Sequence, residues 1–186
     1  MTPAVVHAGT LLQALHFAAE KHCDQRRKGT NSSPYINHPI AVARVLSDVG
    51  RVEDASILIS AILHDTIEDT DASPQEIEEL FGTTVRALVE EVTMDMSLPR
   101  SERKRWQVDH APHLSHGAKL IKLGDKICNV LDVTHNPPAD WSAQRRLEYL
   151  DWSAAVIDGC RGTNPGLEQH FDDVVAKGRE IIRGDG

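Results

Sequence analysis

Leu63-His64-Asp65-Thr66-Ile67-Glu68-Asp69-Thr70 sets an imidazole and three carboxylates directly behind the apolar run Ile57-Leu58-Ile59-Ser60-Ala61-Ile62-Leu63. If that run continues as a helix through Asp69, His64 and Glu68 become i, i+4 neighbours, and so do Asp65 and Asp69. One end of a central, largely buried helix then carries all four groups. Negative charges this close repel one another in a low dielectric unless some stay protonated or a cation sits among them. A solvated acidic helix end would escape that cost, but the aliphatic run before the stretch favours a divalent metal.

Two other places in the chain carry the same kind of chemistry. Upstream, Gln25-Arg26-Arg27-Lys28-Gly29-Thr30-Asn31-Ser32-Ser33-Pro34-Tyr35-Ile36-Asn37-His38-Pro39 reads as a loop with three adjacent cations at its entrance. Pro39 suits a first helical turn, so His38 falls at or beside a helix N-cap, where backbone geometry holds a ligand from both sides. Downstream, Leu120, Leu123, Ile127, Val130 and Leu131 define an apolar helical face, and Asp125 and Asn129 form an i, i+4 pair on that helix.

The remaining chain reads as helices joined by turns. Thr10 to His22 has the apolar spacing of a core helix, with His16 and His22 as ordinary surface or partly buried histidines. Ile40 to Val49 is a second helix stopped at Gly50, and Glu53 and Asp54 favour the start of the third. Ser73-Pro74-Gln75-Glu76 is a capping-box pattern, Gly82 closes its helix, and Thr84 to Val92 is amphipathic. After a looser stretch from Met94 to Pro99, Ser101 to Val108 is polar and basic, a charge run that suits a solvated face with a residue or two free to meet an anion. Ser142 to Cys160 and the segment opened by Asn164-Pro165 are the last helices. No strand-like alternation, repeat or low-complexity tract is present, so the expected fold class is all-α.

At 186 residues, with 40% hydrophobic and 26% charged residues, the chain suits one globular domain. Met1 to His7 has no cationic or long apolar leader character, and no uncharged apolar stretch approaches membrane-spanning length. A cytoplasmic protein with no membrane partner is expected, with Cys23, Cys128 and Cys160 as reduced thiols. A net charge of −8 argues against general nucleic-acid binding, and an anionic substrate would need a local basic patch.

A loop histidine, a His-Asp pair ending a buried helix and a later helical Asp together resemble the HD superfamily of metal-dependent phosphohydrolases. More narrowly, Arg27-Lys28, Pro34 to Pro39, His64 to Thr70, Phe81-Gly82, Val89 to Thr93 and Lys122-Leu123-Gly124-Asp125-Lys126 resemble the hydrolase domain of the RelA/SpoT alarmone enzymes. Leu98-Pro99, Glu102 to Arg105 and Trp141-Ser142 are similar to the small, stand-alone metazoan SpoT homologue type. The likeness spans roughly Leu12 to Lys177 and implies a single HD-domain helical bundle of roughly eight to ten helices over residues 1–186, with its core at about 10–180.

The resemblance implies that His38, His64, Asp65 and Asp125 hold one Mn²⁺, a ligand set that suits such a borderline cation, though zinc fits the same ligand types. Glu68 and Asp69 would orient and deprotonate the attacking water. Arg27, Lys28, Arg100, Asn129, Arg145 and Tyr149 match substrate-side positions, Arg100 standing where close relatives have lysine. The implied activity is that of a guanosine-3′,5′-bis(diphosphate) 3′-pyrophosphohydrolase, which cuts guanosine tetra- or pentaphosphate to GDP or GTP and pyrophosphate and so lowers the alarmone of the stringent response. An NADPH 2′-phosphatase and an alarmone-binding module without turnover are the alternatives. A monomer or weak homodimer is expected, with no room for a synthetase or regulatory domain. Three departures from the family pattern stand out: the longer loop Gly29 to Pro34, Leu131 in place of a frequent arginine, and Gly124 in place of a common alanine. The first two are expected on the substrate side, and the third to cost the helix only a little stability.

Overall fold

The computed structural model describes residues 8–184; the reading of Met1 to His7 lies outside them. Among the described residues the chain is all-α. Its helices are α1 (Ala8–Lys21), α2 (Asn37–Asp48), α3 (Ala55–Leu63), α4 (Thr66–Asp69), α5 (Pro74–Phe81), α6 (Thr83–Val92), α7 (Arg100–His110), α8 (His116–His135), α9 (Ala143–Asp158) and α10 (Pro165–Gly184), with a 3₁₀ turn at Ala111–His113. The one extended pairing among them is an isolated bridge between Arg26 and Pro34, which pins the base of the cationic loop.

Helix starts follow from local chemistry. Asp54 caps α3 by accepting from the Ser56 and Ile57 amides, and Ser73 and Glu76 complete a reciprocal capping box on α5. Ser115, Ser142 and Asn164 do the same for α8, α9 and α10 through the amides of Ala118, Arg145 and Leu167. Each side-chain oxygen satisfies an amide that has no partner within its own helix.

The organising element is α8, against which α2, α3, α6, α9 and α10 all pack. It is buried nearly all round over Leu120–Cys128, including the polar Lys122, Asp125 and Lys126. One apolar cluster surrounds it, with Val42, Leu46, Ile121, Leu123, Ile127, Leu150, Ile157, Leu167 and Phe171. A second joins α1, α3, α5 and α6 through Ala14, Ala18, Ile62, Leu63, Ile77, Val85 and Val89. Since α3 contributes Ala61 to the first cluster and Ile62 and Leu63 to the second, its C-terminal end emerges at the seam between them.

Three expectations are corrected here. The apolar run does not continue as a helix through Asp69: α3 stops at Leu63, and α4 resumes at Thr66. His64 Nδ1 donates to the Ala61 carbonyl at 2.9 Å and Thr66 Oγ1 to the Leu63 carbonyl at 2.7 Å, so side chains replace main-chain donors at the break. His38 is the second residue of α2, two positions past the N-cap residue Ile36. Gly124 is more than a small cost to helix propensity. A Cβ there would lie 3.0 Å from Leu46 Cδ2 and 3.1 Å from Val42 Cγ1, so glycine lets α2 close on α8 immediately beside Asp125.

Candidate metal centre

The helix packing brings His38 from α2, His64 and Asp65 from the break after α3, and Asp125 from α8 to one point. Ligand atoms of His38, His64 and Asp65 lie within 4.8 Å of one another. Asp125 Oδ1 is 3.2 Å from His38 Nε2 and 3.7 Å from His64 Nε2, while Asp65 Oδ2 is 3.9 Å and 3.0 Å from the same two nitrogens. Donors that share an ion with bonds of about 2.1 Å stand roughly 3 to 4 Å apart, and these four His–Asp distances fall in that range, with His38, His64 and Asp65 as the mutually close set and Asp125 beside its two histidines.

The hydrogen bonds fit a metal equally well. With its Nδ1–H committed to Ala61, His64 points Nε2 at the two carboxylates, and that buried nitrogen has no hydrogen-bond partner. Burial alone would lower the His64 pKa, but the Asp65 and Asp125 carboxylates more than reverse this and push it up to about 10. The pocket therefore draws positive charge to that nitrogen. Burial lowers the His38 pKa, leaving a neutral imidazole able to ligate. For Asp65 and Asp125 burial raises the pKa, and their cationic neighbours, His64 for the first and Lys126 for the second, overcome it; both stay ionised.

Each carboxylate is also held from behind. Tyr35 Oη donates to Asp65 Oδ2 at 2.5 Å; Lys126 Nζ donates to Asp125 Oδ2 at 3.0 Å and Asn129 Nδ2 to Asp125 Oδ1 at 2.5 Å. Such outer contacts fix ligand orientation. Sequence reasoning gave no role to Tyr35 or Lys126. Their positions, three residues before His38 and directly after Asp125, were the available signal.

The four donors form the floor of a cleft of about 860 Å³. All the candidate residues line it: Arg27, Lys28, His38, His64, Asp65, Glu68, Asp69, Arg100, Asp125, Asn129, Arg145 and Tyr149. Glu68 is held by the Met94 amide at 3.1 Å; burial, then the Asp65 charge, raises its pKa to about 7 against that bond. Asp69 Oδ2 accepts from Gln25 Nε2 at 3.0 Å. The wall bears Lys104, Lys122, Trp141 and Trp152 as well; the first three fall in stretches that carry the family resemblance, without a role of their own, and Trp152 in none. Lys104 and Lys126 lie 4.9 and 4.7 Å from the Trp152 ring centroid, and the Arg145 guanidinium is 4.6 Å from that of Trp141. This supplies the local basic patch that the net charge demands.

The departures sort differently from expectation. Leu131 is not among the lining residues and packs against the main core. The long loop does border a side pocket of about 300 Å³: Gly29 lies against Asn136, whose Oδ1 accepts from Thr30 Oγ1 at 2.9 Å and the Asn31 amide at 3.1 Å. His16 is exposed beside Glu20, and His22 is buried against Tyr35, with ring centroids 4.7 Å apart; neither lines the cleft.

Comparison with known proteins agrees with this geometry. The sequence profile of the HD domain matches residues 14–150. The guanosine-3′,5′-bis(diphosphate) 3′-pyrophosphohydrolase MESH1 of Danio rerio is 52% identical over 164 residues, which are 88% of this chain and 91% of that protein. The MESH1 of Homo sapiens is 52% identical over 162 residues, 87% of this chain and 90% of that one. A solved structure, described as a metazoan orthologue of SpoT that hydrolyses ppGpp and plays a role in starvation responses, superposes with a TM-score of 0.89. It shares 44% identity and covers 94% of this chain and 98% of its own. With its helices closing around paired histidines and aspartates, the chain belongs to the HD-domain family and, within it, to the MESH1 group.

Proposed function

We propose that this protein is an Mn²⁺-dependent guanosine-3′,5′-bis(diphosphate) 3′-pyrophosphohydrolase. It cleaves the bond between the ribose 3′ oxygen and its diphosphate in guanosine tetra- or pentaphosphate, releasing pyrophosphate and GDP or GTP. The carrying observation is the four-donor acidic floor beneath a cationic wall, with a carboxylate of raised pKa beside it. The names of the MESH1 relatives support the substrate.

His38, His64, Asp65 and Asp125 would hold the ion, which when bound would supply Lewis-acid charge for phosphoryl chemistry. The chain's own groups do the rest. Glu68 accepts a proton from the attacking water, and its raised pKa suits a base working near neutrality. Asp69, steadied by Gln25, orients that water. As the phosphorus–oxygen bond breaks, the ribose 3′ oxygen takes up a proton from solvent and leaves as a hydroxyl, while Glu68 returns its proton to solvent. All six substrate-side residues line the cleft, which supports a reading in which Arg27 and Lys28 approach the base and phosphates, Asn129 the ribose, Arg145 and Tyr149 the phosphates, and Arg100 an anionic group, charged donors gripping oxyanions.

In this reading the 186 residues act as one hydrolase domain, as a monomer or weak homodimer; the HD-domain match over residues 14–150 supports the first of these. No helix of the described residues is long and apolar enough to cross a membrane, and Cys23, Cys128 and Cys160 are free thiols. The test is side-by-side turnover of guanosine tetraphosphate and NADPH with Mn²⁺. Pyrophosphate released from the first is the expected result. Phosphate from NADPH alone would transfer the site to the 2′-phosphatase reading, and binding of the alarmone without turnover would make the protein a sensor.

A further inference from the structure

Arg27 and Asp125 sit on opposite sides of a single amide. Arg27 Nη2 donates to Asn129 Oδ1 at 2.8 Å, and Asn129 Nδ2 donates to Asp125 Oδ1 at 2.5 Å. Only this orientation satisfies both neighbours: turned over, the amide would set its NH₂ against a guanidinium and its oxygen against a carboxylate. Both ends of Asn129 are thus already engaged before any nucleotide arrives. Arg27 is itself fixed from behind, where Asp132 Oδ2 accepts from Nε at 3.0 Å and from Nη2 at 2.5 Å. Its side chain is 16% exposed and lies 5.4 Å from the Tyr35 ring centroid, so it has little freedom to move elsewhere.

We propose that Arg27 is a positioning residue for the metal centre, acting through Asn129 on Asp125, in addition to whatever contact it makes with the nucleotide. The inference rests on the reading of His38, His64, Asp65 and Asp125 as ligands of one ion. The oxygen that Asn129 holds is the same Asp125 Oδ1 that faces both His38 Nε2 and His64 Nε2. Setting the amide plane therefore sets the direction of the ligand lone pair. By linkage, anything that reorients Arg27 changes metal affinity, and metal loading changes how Arg27 is presented to substrate.

Charge alone makes the opposite prediction, which gives the test its edge. Removing a cation close to a metal site lessens repulsion and tightens binding of the ion. Removing the positioning contact weakens it. The experiment is calorimetric titration of Mn²⁺ into nucleotide-free protein, for the unaltered chain, Arg27→Ala, Arg27→Lys, Asn129→Ala and the Arg27→Ala/Asn129→Ala double variant, with the metal-free melting temperature of each. Asn129→Ala should weaken binding about 10- to 100-fold. Arg27→Ala should weaken it about 3- to 10-fold, and Arg27→Lys, which keeps the charge but not the fork, should move the same way. In the Asn129→Ala background, Arg27→Ala should weaken it no further, because the route is already cut. If Arg27→Ala does not fold, Arg27→Lys carries the comparison. Binding as tight as or tighter than that of the unaltered chain, or a loss that persists in the double variant, overturns the proposal. Failure of the unaltered chain to bind Mn²⁺ would instead overturn the metal reading beneath it.

Discussion

The floor and the wall of the cleft are built on different principles. His38, His64 and Asp125 are buried, Asp65 nearly so, and they come from α2, α8 and the break after α3, elements pressed together by the two apolar clusters. Each carboxylate there has a second donor, from Tyr35 or from Lys126 and Asn129. On the wall, Arg100 is exposed on α7, and Arg145 on α9 is half-buried with one long ion pair to Asp140 at 3.4 Å. A floor fixed by core packing is committed to one chemistry; on the wall, loosely held cations such as Arg100 and Arg145 can adapt to the substrate they meet.

The largest effect should come from the floor. Asp65→Asn should lower turnover by about a thousandfold or more. It should also erase the rise in melting temperature that Mn²⁺ gives the unaltered protein. A variant still stabilised by the ion would show that Asp65 is dispensable to the floor.

Glu68 lies between the two regions. Glu68→Gln should cost about 10²- to 10⁴-fold in kcat while Mn²⁺ still binds, which would separate proton transfer from ligation. The pH profile sharpens the point. A carboxyl whose pKa burial raises to about 7 is protonated, and useless as a base, below that value, so the rate should fall as pH drops on an acid limb near or below pH 7. A bound cation pulls the limb lower, never higher. A profile flat through that range in the unaltered enzyme would remove Glu68 from the base role.

On the wall, Arg145→Ala should raise KM by about tenfold with kcat within a few-fold, the size of one charged hydrogen bond. Added salt should reproduce part of that loss in the unaltered protein. A collapse in kcat instead would mean that this cation belongs functionally to the floor. Smallest of all, Ser73→Ala removes the α5 capping box, which does not line the cleft. It should cost about 1 kcal/mol of stability and leave both kinetic constants unchanged.

Much of the floor was legible in the sequence because its residues stand next to strong local signals: a proline after His38, an aliphatic run before His64, a helical face around Asp125. The caps at Ser73, Ser142 and Asn164 were legible for the same reason. Lys122 and Lys126 were not. On an amphipathic pattern a lysine reads as solvent-facing, and only the enclosure of α8 on all sides buries them, one against the Val92 carbonyl and the other over Trp152. The break at His64 was equally hidden, since it depends on side chains taking the Ala61 and Leu63 carbonyls. The worth of Gly124 depends on Val42 and Leu46, residues distant in sequence.

The most direct test of the whole account is an anomalous-scattering map at the manganese edge from crystals grown with Mn²⁺. One peak should appear within about 2.0 to 2.3 Å of His38 Nε2, His64 Nε2 and one oxygen each of Asp65 and Asp125. A peak elsewhere in the cleft, or none among these four side chains at saturating metal, would contradict the account.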